Sequence, residues 1–270
     1  MLDHPTVAHP APHAAKAPAG ACPTCGARLA TDFCGSCGQE ARARLTMGLV
    51  LRNVVSTVFG LDRGLLHTFL SLSRNPGRVA GDYVAGATVS YTNPASYLLL
   101  CASITALLFT SFGGIEDFVR GFNEASSRAP VPTAAEALRR IAAHASIIVA
   151  LVVPVTALFS RIVFYRSARN YAEHLVFNAF VLAQAALMVT VLDVLSRPVV
   201  RPDSTAGEAV GLVIAVIGAG YYTWAACHFF QQRVVGGLLR AGGVLLLATL
   251  AYGLLAGVAV AVVGSITAAG

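Results

Sequence analysis

The chain has 270 residues, is 56% hydrophobic and only 12% charged, and carries a formal net charge of +6. Soluble domains run about 25% charged, so this composition and its long apolar runs exclude an ordinary soluble domain and point to a polytopic membrane protein. The basic residues cluster near the edges of the apolar runs, where they set orientation and meet lipid headgroups, so nucleic-acid binding is not expected.

Residues 1–21 form a disordered Ala/Pro/His leader. It has no apolar core and four prolines, so it does not read as a secretory signal. His4, His9 and His13 are scattered through it and read as solvated rather than metal-bound.

Residues 22–39, CPTCGARLATDFCGSCGQ, hold four of the six cysteines in two CxxC pairs eight residues apart. A CxxC turn aims two thiolates at one ion, and Gly26 and Gly38 follow where a knuckle needs permissive backbone. Four soft sulfurs, Cys22, Cys25, Cys34 and Cys37, specify a tetrahedral site that suits zinc. Four protein ligands leave no open position, so the expected role is structural, with the metal supplying the folding energy of a segment too short to bury a core. A disulfide or thiol-redox pair is the competing reading. Zinc would lower the net charge to roughly +4, four thiolates adding −4 and the ion +2.

Residues 45–92 mix apolar and polar positions. Arg52, Ser56, Arg63 and His67 recur at helical spacing opposite Leu51, Val54, Val55, Val58, Leu65, Leu66 and Phe69. This predicts interfacial amphipathic helices with a break near Gly60-Leu61-Asp62, lying in the membrane plane or packed on the bundle. Asn75-Pro76 and Asn93-Pro94 each predict a helix start, with Asn as cap and Pro at the first helical position.

Residues 94–268 predict a five-helix transmembrane bundle, with spans about 94–112, 144–163, 174–195, 209–229 and 242–267. The fold class is therefore an all-α membrane protein, with an N-terminal four-cysteine zinc ribbon. Arginines near the spans divide seven to six between the two sides, so the positive-inside rule decides little. Paired thiols fit a reducing cytosol, which places the N-terminus inside and the C-terminus outside.

The CGQ that ends the knuckle, the stretch FGLDRGLLHTFLSLSRNPGRVAGDYVAG and then YTNPASYLLL resemble the bacterial zinc-ribbon membrane proteins of domain-of-unknown-function family 3667 (DUF3667). The likeness covers roughly residues 22–110 and continues more weakly through YAEHLVFNAF and YYTWAACHFFQQ. It implies a bacterial inner-membrane architecture and no reaction. The family pattern carries more histidines after EHLVF, where this chain has Asn178 and Ala179.

Ionisable groups in a bilayer are costly, so each is a candidate site. Arg161, Glu173, His174, Asn178 and His228 fall at one predicted membrane face and form a candidate polar cluster. It could hold a second metal through Glu173, His174 and His228, relay protons or substrate, or simply satisfy helix ends. At the other face His144 could pair with Asp193. Pro154 is expected to kink its span, Gly253-xxx-Gly257 to permit close helix approach, and Cys101 and Cys227 to pack as small apolar side chains.

No GxSxG, P-loop or GxGxxG unit is present, so no catalytic residue is assigned and the reading leans away from an enzyme. The expected function is a membrane protein whose cytosolic ribbon docks a protein or lipid partner. The alternatives are a small transporter or lipid-handling protein, and a membrane-embedded metal-dependent enzyme.

Overall fold

The computed structural model describes residues 20–29, 33–39, 64–117, 120 and 145–269, with side chains of the last segment described over 152–254. The leader histidines, the Gly60 break and His144 lie outside these residues.

The described chain is helical. Its elements are α1 (Leu65–Arg74), α2 (Pro76–Val84), α3 (Pro94–Ser111), α4 (Ala145–Val163), a 3-10 turn (Tyr165–Ser167), α5 (Tyr171–Ser196), α6 (Thr205–Phe229) and α7 (Val234–Ala269). Among the described residues, the cysteine segment adds an isolated bridge between Ala21 and Arg28.

Local chemistry sets several boundaries. Asn93 caps α3 by accepting from the Ala95 N–H at 2.9 Å. Asn75 does not cap α2 with its side chain. Its backbone N–H instead closes α1 onto Ser71 O at 2.8 Å, and Pro76 alone marks the restart. Asn170 and Glu173 form a reciprocal capping box that opens α5. Ser204 caps α6 through the Gly207 N–H.

Among the described residues, four helices are long and apolar enough to cross a membrane: Pro94–Ser111, Tyr171–Ser196, Thr205–Phe229 and Val234–Leu254. The expected count was five. The predicted second span is α4, a helix of 19 residues or about 28 Å at 1.5 Å per residue, of which residues 152–163 have described side chains. The last helix begins at Val234 and contains the predicted span 242–267.

α5 is the central element, packed by α3, α4 and α6. The two short helices are not confined to its end. At the α1–α2 elbow, Ser73 Oγ accepts from Gln184 Nε2 at 2.9 Å, and Leu72 O accepts from Tyr221 OH at 3.0 Å. Gln184 lies roughly 20 Å along α5 from its start, so the elbow reaches well into the bundle. Its freed backbone and hydroxyl groups are met there by side chains, as a buried turn requires. Tyr97 of α3 donates to the same Gln184.

Of the expected Gly253–Gly257 pair, Gly257 lies outside the residues whose surroundings are described. A Cβ on Gly253 would meet nothing within 4 Å. A Cβ on Gly77, where α2 crosses α6, would lie 2.5 Å from Ala225 O and 3.0 Å from Phe229 N. Gly237 likewise sits against Cys227, which is half-buried, whereas Cys101 is fully buried.

Candidate metal centre and buried polar cluster

The two knuckles repeat one backbone design. Cys22 N–H donates to Ala27 O at 2.7 Å, and Gly26 N–H returns to Cys22 O at 2.8 Å. Cys34 N–H donates to Gln39 O at 2.7 Å, and Gly38 N–H returns to Cys34 O at 2.8 Å. Gly26 and Gly38 take φ of +75° and +72°, a region that a side chain rarely tolerates.

These turns bring the four sulfurs within 4.8 Å of one another. The short approaches run across the knuckles, Cys22–Cys37 at 3.6 Å and Cys25–Cys34 at 3.5 Å. No disulfide joins them. The N–H groups of Ser36 and Cys37 hydrogen-bond to the Cys34 sulfur and lower its thiol to about 6. Four converging thiols with N–H groups aimed at sulfur suit a soft divalent metal ion.

The segment is tied to the helical body by Gln39, which is fully buried. Its side-chain oxygen accepts from Thr24 Oγ1 at 3.1 Å and from Val89 N–H at 3.0 Å, and its amide donates to Thr88 Oγ1 at 3.2 Å. The turn it grips, between α2 and α3, also holds Gly86 at φ +109°, packed under Pro23. The CGQ motif is therefore both the end of the knuckle and its anchor. In the sequence Gln39 stands out only as part of the family resemblance.

The predicted polar cluster divides. His174 and Asn178 do meet, one turn apart on α5, and Ser160 of α4 joins them. Ser160 Oγ lies 2.8 Å from His174 Nδ1 and accepts from Asn178 Nδ2 at 3.0 Å. Tyr222 of α6 donates to Asn178 Oδ1 at 3.0 Å. The His174 ring stacks on Phe230 at 4.9 Å, and the charges of Arg161 and Arg169 lie within electrostatic reach of it. Ser160, His174 and Asn178 are 0% exposed. A serine beside a histidine has the parts of a nucleophile and base, but no substrate reaches these atoms. The network fastens α4, α5 and α6 to one another.

Glu173 and His228 stand apart from that network. The Glu173 carboxylate accepts from the Asn170 N–H at 3.1 Å as half of the capping box. His228 is exposed on α6 and bonds to Trp224 O through Nδ1 at 3.0 Å. Among the described residues, the four cysteines are the one group of three or more potential ligands gathered closely enough for a metal. Glu173, His174 and His228 do not make a second such group, because each is committed to a different local partner. Asp193 pairs with Arg197 one turn on at 2.8 Å, and Arg197 also reaches Asp117 at 2.9 Å; His144, the expected partner of Asp193, lies outside the described residues. That triad joins the C-terminal end of α5 to the segment that follows α3.

Ser160, Gln184 and Tyr97 were not predicted as partners. All are single polar residues in apolar helices, and their pairing depends on interhelical register, which no local motif records.

Neither the curated proteins nor the solved structures contain a match to the chain. Residues 62–106, covering α1, α2 and most of α3, match the model of the family described as "Protein of unknown function (DUF3667)", so this part of the chain is similar to that family.

Proposed function

We propose that this is an integral protein of the bacterial cytoplasmic membrane whose N-terminal segment is a structural zinc ribbon, held on the cytosolic face as a docking module for a protein or lipid partner. Gln39 carries the reading. A buried glutamine with three side-chain hydrogen bonds fixes the cysteine segment against the turn that leads into α3. Such an anchor gives a small metal module one orientation over the bundle. Phe33, 59% exposed between the knuckles, adds an apolar contact point on its surface.

Two other readings find less support. A transporter needs a polar path between α4, α5 and α6, and that space is filled by Phe164, Phe177, His174, Tyr222 and Phe230, all 3% exposed or less. An enzyme using Glu173, His174 and His228 needs those groups to converge, and each is held by its own neighbours.

The test is to compare proteins that co-purify with the full chain and with a variant lacking residues 1–40, both inserted in membranes. The partner is expected to be lost with the ribbon while insertion persists. An identical set of partners from both would remove the docking role.

A further inference from the structure

We propose that the loops joining α4 to α5 and α6 to α7 form a binding site for the phosphodiester headgroup of an anionic phospholipid. The inference rests on the reading of the chain as a membrane protein. A cavity of about 570 Å³ opens between these two loops, within the size range of small-ligand sites. Arg166, Arg169 and Glu173 line one side, and Phe230, Gln231 and Gln232 the other.

The walls are built rather than incidental. Arg169 is held over the Phe229 ring at 4.0 Å and donates to Phe229 O at 3.1 Å, so its cation is oriented in advance. Gln232 is fixed by its bond to Phe230 O at 2.9 Å and by Arg240. Among the described residues, the two non-glycine positions with positive φ are Ala168 at 52° and Gln231 at 55°. Both line this cavity. Left-handed backbone costs energy at such residues, and here it bends both loops around one space.

The charge selects the ligand class. Two guanidinium groups and one carboxylate give a formal +1, from +2 and −1. That suits a phosphodiester with a single negative charge better than a dianionic phosphate. The surroundings suit an amphiphile. Leu158, Ile162 and Tyr165 form an exposed apolar line along the end of α4 that leads to Arg166, at 50%, 57% and 60% exposure. Val234, Val235 and Leu238 continue exposed apolar surface from Gln232 along α7. A headgroup held by the arginines would leave its acyl chains against these faces.

The probe is phosphatidylglycerol titrated into detergent-purified full-length protein and read by native mass spectrometry, with phosphatidylcholine and soluble glycerol phosphate as separate arms. One phosphatidylglycerol per chain is expected to be retained, with apparent affinity about tenfold weaker in Arg166→Gln. The control Arg74→Gln/Arg78→Gln, on exposed arginines away from the cavity, should bind as the wild type does. Arg166 is exposed and does not brace the fold, so its variant remains informative if Arg169→Gln fails to fold. Equal retention in Arg166→Gln, or equal binding of phosphatidylcholine, would overturn the proposal in favour of general annular lipid. Binding of glycerol phosphate as tight as that of the lipid would overturn it in favour of a soluble phosphate ester. Carbonate extraction of the same membranes separates the two readings. Protein kept in the pellet without lipid selectivity overturns only the headgroup site, while protein released to the supernatant overturns the membrane reading on which it rests.

Discussion

The crossing of α2 over α6 allows a sharp test, because two glycines one turn apart on α2 should respond in opposite directions. A Cβ at position 77 would sit 2.5 Å from Ala225 O, 2.7 Å from His228 Cβ and 3.0 Å from Phe229 N. Two of these atoms are backbone of α6 and cannot rotate away, so the helices must separate by about 1 Å to reach ordinary contact. Such a gap forfeits a quarter to a half of the dispersion at each affected contact, and overpacking of this kind costs about 3 kcal/mol. Alanine in place of glycine returns at most about 1 kcal/mol of helix propensity. Gly77→Ala should therefore destabilise by about 2 kcal/mol, a fall of roughly 4–8 °C in Tm for a chain of this size. At Gly81 an added Cβ meets nothing within 4 Å, so Gly81→Ala should be neutral or gain up to about 1 kcal/mol. The single tryptophan, Trp224, sits on α6 beside the crossing and stacks edge-on with His228 at 5.9 Å. Its emission during thermal unfolding in detergent reads the result. Equal Tm values for the two variants would refute the close crossing.

The other predictions concern the ribbon and the buried network. Gln39→Ala removes three side-chain hydrogen bonds, worth about 2–3 kcal/mol together. It should leave metal content unchanged while amide exchange at Val89 accelerates, and slow exchange there in the variant would mean that Gln39 is not the anchor. Ser160→Ala leaves His174 Nδ1 and Asn178 Nδ2 short of a buried partner and should cost about 1–3 kcal/mol in thermal unfolding; an unchanged Tm would count against the network. Acid should release the metal, because protons compete for the thiolates. The Cys34 thiol is lowered from 9.0 to about 6 by the Ser36 and Cys37 N–H groups, so the fold's preference for its thiolate is present at high pH and lost as pH falls through about 6. Metal release measured with a colorimetric chelator should begin near that pH, and complete release by pH 8 would contradict the geometry.

What the sequence made legible was local. The CxxC spacing and the glycines after each pair foretold knuckles whose φ values of +75° and +72° require glycine. Asn93-Pro94 marked the start of α3 to the residue, since cap and proline act within one turn. Asn75-Pro76 marked a start as well, but its cap failed because the Asn75 backbone was already closing α1. Longer-range features were not legible. Gln184 is one polar residue in a uniformly apolar helix, and nothing nearby says that it will meet Tyr97 and Ser73. Glu173 and His228 fell at one predicted membrane face, yet facing directions around each helix separated them. The predicted span 242–267 lies inside α7, whose earlier start hydropathy does not mark, because Gly236, Gly237 and Arg240 weaken the signal over residues that are helical all the same.

The central claim is that the four cysteines alone hold one structural metal ion. It is tested most directly by zinc per chain on detergent-purified protein, for wild type, Cys34→Ser/Cys37→Ser and His174→Ala. The account predicts one equivalent in wild type and His174→Ala and none in the cysteine variant. Wild-type protein without zinc, or zinc lost with His174, would contradict it.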